Sequence, residues 1–167
     1  EDDLLEVMNY AVESCPGWIR LPRVVRDIPN EYIYAGNKVP NLRQLLVESK
    51  EIRSREIERH PSYYTSNTKI FVTQYSESDF FISCESLDRK VIFGFLRLRL
   101  NKKNMNTEFK FLRELALVRE LHVYGFNTAV GACAKSAQHR GIGKHLLKKA
   151  ENIAFFNLWK GIAVISG

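Results

Sequence analysis

Gln138-His139-Arg140-Gly141-Ile142-Gly143-Lys144 runs directly into a helical segment, His145 to Asn157, and then into Gly161-Ile162-Ala163-Val164-Ile165-Ser166-Gly167. Two glycines one residue apart open the helix without bulky side chains, and basic residues flank them. The first N–H groups of a helix have no intrahelical acceptor, and the positive end of the macrodipole favours an anion, so the stretch reads as a diphosphate cradle. Ile142, Leu146, Ala150, Ile153 and Ala154 form an apolar stripe of the spacing that lies on a sheet. Ile162 to Ile165 is continuously apolar, which predicts a strand buried on both faces.

Working outward, Leu115 to Tyr124 reads as a strand, with Leu117, Leu121 and Val123 on one face and Val118, Glu120, His122 and Tyr124 on the other. Strand, loop, helix and strand make a βαβ unit, whose right-handed crossover sets Leu115 to Tyr124 parallel to Ile162 to Ile165. A ligand then belongs at the carboxyl ends of those strands. Glu120 and His122 point the same way there and are the candidate catalytic residues; the competing reading of a strand histidine is a packed, hydrogen-bonded one.

Ahead of this unit, Ile70 to Tyr75, Asp79 to Cys84 and Val91 to Leu100 are rich in β-branched and aromatic residues. Glu77-Ser78 and Asp88-Arg89 supply the turns of an antiparallel meander. In the third run Arg97 and Arg99 take one face and Leu96, Leu98 and Leu100 the other, as in a sheet with one covered side.

Asp3 to Ser14 carries Leu4, Leu5, Met8, Ala11 and Val12 at helical spacing and ends at Pro16-Gly17. Trp18-Ile19-Arg20-Leu21 with Val24-Val25 predicts a short strand interrupted by Pro22, dotted with Arg20, Arg23 and Arg26. Turn-forming residues between Asp27 and Pro40 mark a boundary, and Asn41 with Gln44 makes a capping box for a short helix. Arg53 and Arg55 share a face if their segment is extended, either as a solvated, salt-bridged surface or as a contact to RNA phosphates.

The 167 residues, 45% of them hydrophobic, suffice for a real core and exclude a disordered tail. A net charge of +6 and a pI near 9.3 point to an anionic partner, nucleic acid or a phosphorylated cofactor. Cys15, Cys84 and Cys133 are odd in number, far apart and without CxxC spacing, which argues against a disulfide framework and a zinc site. With no signal peptide and no apolar run near the roughly 20 residues that span a bilayer, the expectation is a soluble cytoplasmic protein, with a nuclear pool if the source is eukaryotic.

The spacing Gln138-x-x-Gly141-x-Gly143 in this context resembles the acetyl-CoA signature of the GCN5-related N-acetyltransferases. No Gly-Lys-Ser/Thr follows, as a Walker loop requires, and the glycine spacing is too short for a dinucleotide fingerprint. Val118 to Gly125, Gln138 to Gly141, Ala150 to Ala154 and Ala163 to Gly167 are similar to the acetyltransferase domain of the Elongator catalytic-subunit family. Arg23 to Pro29, Asn41-Leu42-Arg43 and Ile52 to Glu56 are similar to its junction with a radical-SAM domain.

That resemblance implies an α/β (α+β) fold, a mixed acetyltransferase sheet preceded by the last helix and strand of a partial barrel. It divides the chain into a barrel remnant over 1–30, a basic junction over 31–66 and an acetyltransferase domain over 67–167, incomplete at its C-terminus. It implies modification of the wobble uridine of tRNA, with acetyl-CoA as carbon source. S-adenosylmethionine and an iron–sulfur cluster supply the radical in the full-length family; the cysteine set that would hold the cluster is absent here. Leu121, His122, Val123 and Tyr124 would contact the pantetheine arm, and Gln138, His139, Arg140, Gly141, Ile142, Gly143, Lys144 and His145 the diphosphate. Arg20, Arg23, Arg26, Arg53 and Arg55, with Arg97 or Arg99, would face tRNA, and other Elongator subunits are implied partners. Where relatives often carry cysteines this chain has Ser49, Glu51 and Ser54, so no metal is expected. Two other classes compete: a protein-lysine acetyltransferase using Glu120 or His122 as base, and a non-catalytic RNA-binding or assembly module.

Overall fold

The computed structural model describes residues 2–22, 29–36, 45–101, 108–125 and 141–164. The chain divides into two compact units, Glu1–Arg55 and Glu56–Gly167.

In the first unit, helix α1 (Asp2–Glu13) buries Val12, and Cys15 is buried just beyond its end. Trp18–Pro22 forms no strand: the Ile19 carbonyl accepts a single backbone bond from Ile52 N (2.9 Å), while Leu21 N donates to the Glu51 carboxylate (3.1 Å). Pro22 has no N–H to continue a ladder. Val24, Val25 and the Asn41–Gln44 capping box lie outside the described residues.

Glu51 is fully buried and also accepts from Arg53 N (2.8 Å) and Ser54 Oγ (2.9 Å), which caps one turn of helix, α2 (Ile52–Arg55). Because that turn is helical, Arg53 and Arg55 are about 200° apart and do not share a face, as an extended segment would have arranged.

The second unit is a five-stranded sheet in the order β1-β2-β3-β4-β5. β1 (Thr68–Gln74), β2 (Asp79–Ser86), β3 (Ile92–Arg99) and β4 (Leu115–Val123) are antiparallel neighbours; β5 (Gly161–Val164) joins β4 in parallel, with Leu115 opposite Gly161 and Val118 opposite Val164. The meander and the βαβ unit read from the sequence are thus both present. Helix α3 (Ile142–Phe156) makes the crossover, its buried residues Ile142, Leu146, Ala150 and Ala154 following the predicted stripe.

Two register shifts set the faces. Between the pairs Arg97–Glu120 and Leu98–Val118, β4 uses one more residue, Arg119, than β3. Between Cys84–Gly94 and Glu85–Ile92 the additional residue is Phe93, on β3. Register partners project to the same side. A methyl built on Gly94 would meet Ile142 Cγ2 at 3.3 Å, so Gly94, Leu96 and Leu98 face α3, together with their partners Val123, Leu121 and Val118. Glu120 and His122, partners of Arg97 and Phe95, face away.

Strict alternation had grouped Val118 with Glu120 and His122. The bulge at Arg119 separates them, because one extra residue inverts the phase of everything beyond it.

The opposite face is also covered in part: Phe81 and Phe95 are buried, while Arg97 and Arg99 are half-buried. The predicted full burial of the last strand does not hold for Gly161–Val164. Gly161, Ile162 and Ala163 are partly exposed and Val164 is 53% exposed, since β5 has one neighbouring strand among the described residues.

Candidate functional site

Gly141 takes φ +69°, a left-handed value that costs a residue with a Cβ, and acts as the N-cap of α3. His145 N donates to Gly141 O (3.1 Å), the first bond of the helix. The N–H groups of Ile142, Gly143 and Lys144 precede that bond and have no acceptor within the helix. A methyl on Gly141 would meet only His145 Cε1, at 3.9 Å, so the space before the helix is open among the described atoms. Lys144 and His145 are exposed on the same turn.

This helix start lies against the end of β4. The Cβ position of Gly143 is 3.6 Å from Val123 Cγ2, and that of Gly94 is 3.3 Å from Ile142 Cγ2 and 2.8 Å from the His122 carbonyl oxygen. The described part of β5 pairs only with Leu115–Val118, so Arg119–Val123 extends beyond it with no strand on that side among the described residues. Backbone polar groups on an unpartnered strand end seek hydrogen bonds, and here they stand beside the first-turn amides of α3. The first-turn amides and the β4 end are therefore brought to one place.

Of the expected cofactor residues, Leu121 and Val123 project towards α3, while His122 and Tyr124 project to the opposite face. Gln138, His139 and Arg140 lie outside the described residues. His122 is exposed, with its ring 4.4 Å from that of Tyr124 and stacked on Phe95 at 6.1 Å and 21°. Glu120, on the same face, accepts from Arg97 Nε at 2.9 Å.

The expected RNA-facing arginines occupy different settings. Arg20 is exposed, whereas Arg55 is buried, its Nε on the Lys50 carbonyl (2.8 Å) and its Nη2 on the Gly17 carbonyl (2.7 Å). Arg53 is half-buried and donates to the Pro22 carbonyl. Arg99 forms a fork on Asp79, with Nε to Oδ1 at 2.7 Å and Nη2 to Oδ2 at 3.2 Å. Arg23 and Arg26 lie outside the described residues.

Sequence reasoning overlooked Asp79 and Gly94. Asp79 receives Arg99, Ser76 Oγ (2.8 Å) and Ser78 Oγ (3.3 Å), with Nη1 of the bulge residue Arg119 at 3.6 Å. Burial alone would raise its carboxyl, but the hydrogen bonds from Arg99, Ser76 and Ser78 and the charge of Arg99 hold it below the usual carboxylate range. Gly94 carried a legible signal, an isolated glycine inside a strand, which marks close backbone approach.

No protein-family profile matches the chain. It is 35% identical to a tRNA uridine(34) acetyltransferase of Methanocaldococcus infernus, over 92% of the chain and 32% of that protein. It is 33% identical to Elongator complex protein 3 of Schizosaccharomyces pombe, over 98% of the chain and 33% of that protein. The solved structure of archaeal Elp3 from Methanocaldococcus infernus with an N-terminal deletion matches 93% of the chain and 40% of that structure, at a TM-score of 0.74 and 31% identity. Over nearly its whole length the chain is similar to part of the proteins named Elongator complex protein 3. It spans about a third of the length of those curated relatives. The structural match extends across most of the chain, in keeping with the mixed sheet expected of the family's acetyltransferase part. Among the described residues no helix is long and apolar enough to cross a membrane.

Proposed function

We propose that the chain is the acetyl-CoA-binding part of a tRNA wobble-uridine modifying enzyme. In this reading Glu56–Gly167 handles the acetyl donor and Glu1–Arg55 contributes contacts to tRNA. The observation that carries it is the placement of the α3 start, with its open glycine approach, against the end of β4. The names of the similar proteins supply the substrate class.

The described residues fit the cofactor. The amides of Ile142, Gly143 and Lys144 would hold the diphosphate, Lys144 and His145 would add positive charge, and the backbone of Leu121–Val123 would pair with the amides of the arm. Bound acetyl-CoA supplies an activated two-carbon unit. Glu120 and His122 are the titratable side chains at that strand end and are proposed to move the proton of the reacting group. No step through S-adenosylmethionine or an iron–sulfur cluster is assigned to these residues, because Cys15, Cys84 and Cys133 lack the spacing of a cluster set. The exposed Arg20 and the Arg53 beside Pro22 are proposed as phosphate contacts, and the net charge of +6 supports a polyanionic substrate.

Calorimetric titration with acetyl-CoA tests the reading. Gly143→Glu should leave the fold intact, since its Cβ meets only an ordinary contact, while placing a carboxylate where the diphosphate would lie. Affinity should fall by about 100-fold, a loss of roughly 3 kcal/mol. A folded chain that binds tRNA but gives no signal with acetyl-CoA would sink the cofactor assignment.

A further inference from the structure

The sheet face turned away from α3 holds an arrangement that the diphosphate cradle does not use. Arg97 and Glu120 are register partners, joined Nε to Oε2 at 2.9 Å, with side chains 16% and 43% exposed. The Arg97 guanidinium carbon also lies 5.4 Å from the ring centres of both Phe81 and Phe95. Two aromatic rings therefore confine the arginine before it meets the carboxylate.

On this face the next register pair towards the end of β4 is Phe95 with His122, whose rings stack. The buried Phe95 thus touches the arginine that holds Glu120 and, along the strand, the exposed histidine. Glu120 and His122 are two residues apart on one face, about 7 Å along the strand.

They share that face with Arg97 because of the extra residue at Arg119, and the guanidinium of Arg119 approaches Asp79, which also holds Arg99. An exposed ion pair kept for stability alone contributes about 0–1 kcal/mol and has no need of two confining rings.

We propose that Arg97 is a positioning residue, holding the Glu120 carboxylate in one orientation beside His122 so that the pair meets the reacting group already aligned. The inference rests on the reading of Glu120 and His122 as the acid–base pair. It also gives Arg97 a role different from contact with tRNA: its guanidinium is directed to a carboxylate and two rings of its own sheet.

The test combines nuclear magnetic resonance on the isotopically labelled chain with turnover of acetyl-CoA in the presence of tRNA. In the spectra, Arg97→Gln should shift the Glu120 carboxyl carbon and the His122 ring resonances, whereas Arg99→Gln should move neither. In turnover, Glu120→Gln should lower kcat by about 100-fold, and Arg97→Gln by about 10- to 100-fold with little change in KM for acetyl-CoA. The double variant should be no worse than Glu120→Gln alone, and Arg97→Lys should recover part of the loss.

Glu120 and His122 resonances indifferent to Arg97→Gln would overturn the proposal, and so would losses that multiply in the double variant. If Arg97→Gln does not fold, the Arg97→Lys spectra provide the same comparison. Shifted resonances with Glu120→Gln at full turnover would retain the geometry and refute instead the acid–base reading on which the role depends.

Discussion

Adding a single methyl at Gly94 should disturb both sides of the candidate site. Its Cβ would lie 2.8 Å from the His122 carbonyl oxygen, 3.2 Å from Val123 Cα and 3.3 Å from Ile142 Cγ2. A carbon approaches a carbonyl oxygen comfortably at about 3.3 Å or more, so β3 and β4 must separate by roughly 0.5 Å or α3 must give way. The first neighbour is backbone held in the ladder, so no side-chain rotation relieves the contact. Overpacking of this kind costs about 1–3 kcal/mol. For a chain of this length that corresponds to a fall in Tm of about 3–10 °C. The adjoining bond, Tyr124 N to Phe93 O at 2.9 Å, should weaken with it. Thermal unfolding and amide exchange at Tyr124 measure the two effects. A Gly94→Ala protein that melts within about 1 °C of the parent with Tyr124 exchange unchanged would refute the close-approach argument, since 1 °C corresponds to less than about 0.5 kcal/mol here.

Gly143→Ala should behave oppositely: its Cβ meets Val123 Cγ2 at an ordinary 3.6 Å and a helix prefers alanine, so Tm should hold or rise while calorimetry records weaker acetyl-CoA binding. Asp79→Asn should cost about 1–2 kcal/mol near neutral pH, discounted for the partial exposure of Arg99. Because the folded carboxyl titrates below the unfolded one, its contribution is complete above about pH 4 and disappears as pH falls through the folded value. The variant's acid limb should therefore be flatter in denaturant titrations over that range. Glu51→Ala removes the acceptor of Leu21 N, Arg53 N and Ser54 Oγ, and should destabilise the first unit by about 3 kcal/mol, read as faster amide exchange at Leu21 and Arg53.

Local chemistry made much of this legible in advance. The α3 stripe, the three-strand meander and the parallel pairing of β4 with β5 all follow from periodicities of 3.6 and 2 and from the handedness of a crossover. The helix-opening glycines were legible because a short-range requirement, bare amides at a helix start, is written in adjacent residues. Arg53 and Arg55 were harder to place: whether they share a face depends on a helical turn organised by the buried Glu51, which also receives Leu21 N from 30 residues away.

What the amino-acid order determined by itself was the order of the strands from β1 to β5, the apolar face of α3 and the glycine opening ahead of it. What tertiary structure alone decided was the side to which each residue of β4 points. Arg119 is an ordinary residue with no turn chemistry, and its bulge exists because β4 pairs with β3 in a register that accommodates one extra residue. That register places Val118 towards α3 and sets Glu120 and His122 on the opposite face beside Arg97 and Phe95. The physical reason is that a strand's periodicity is local, whereas its phase is set by the partner strand and changes with a single inserted residue.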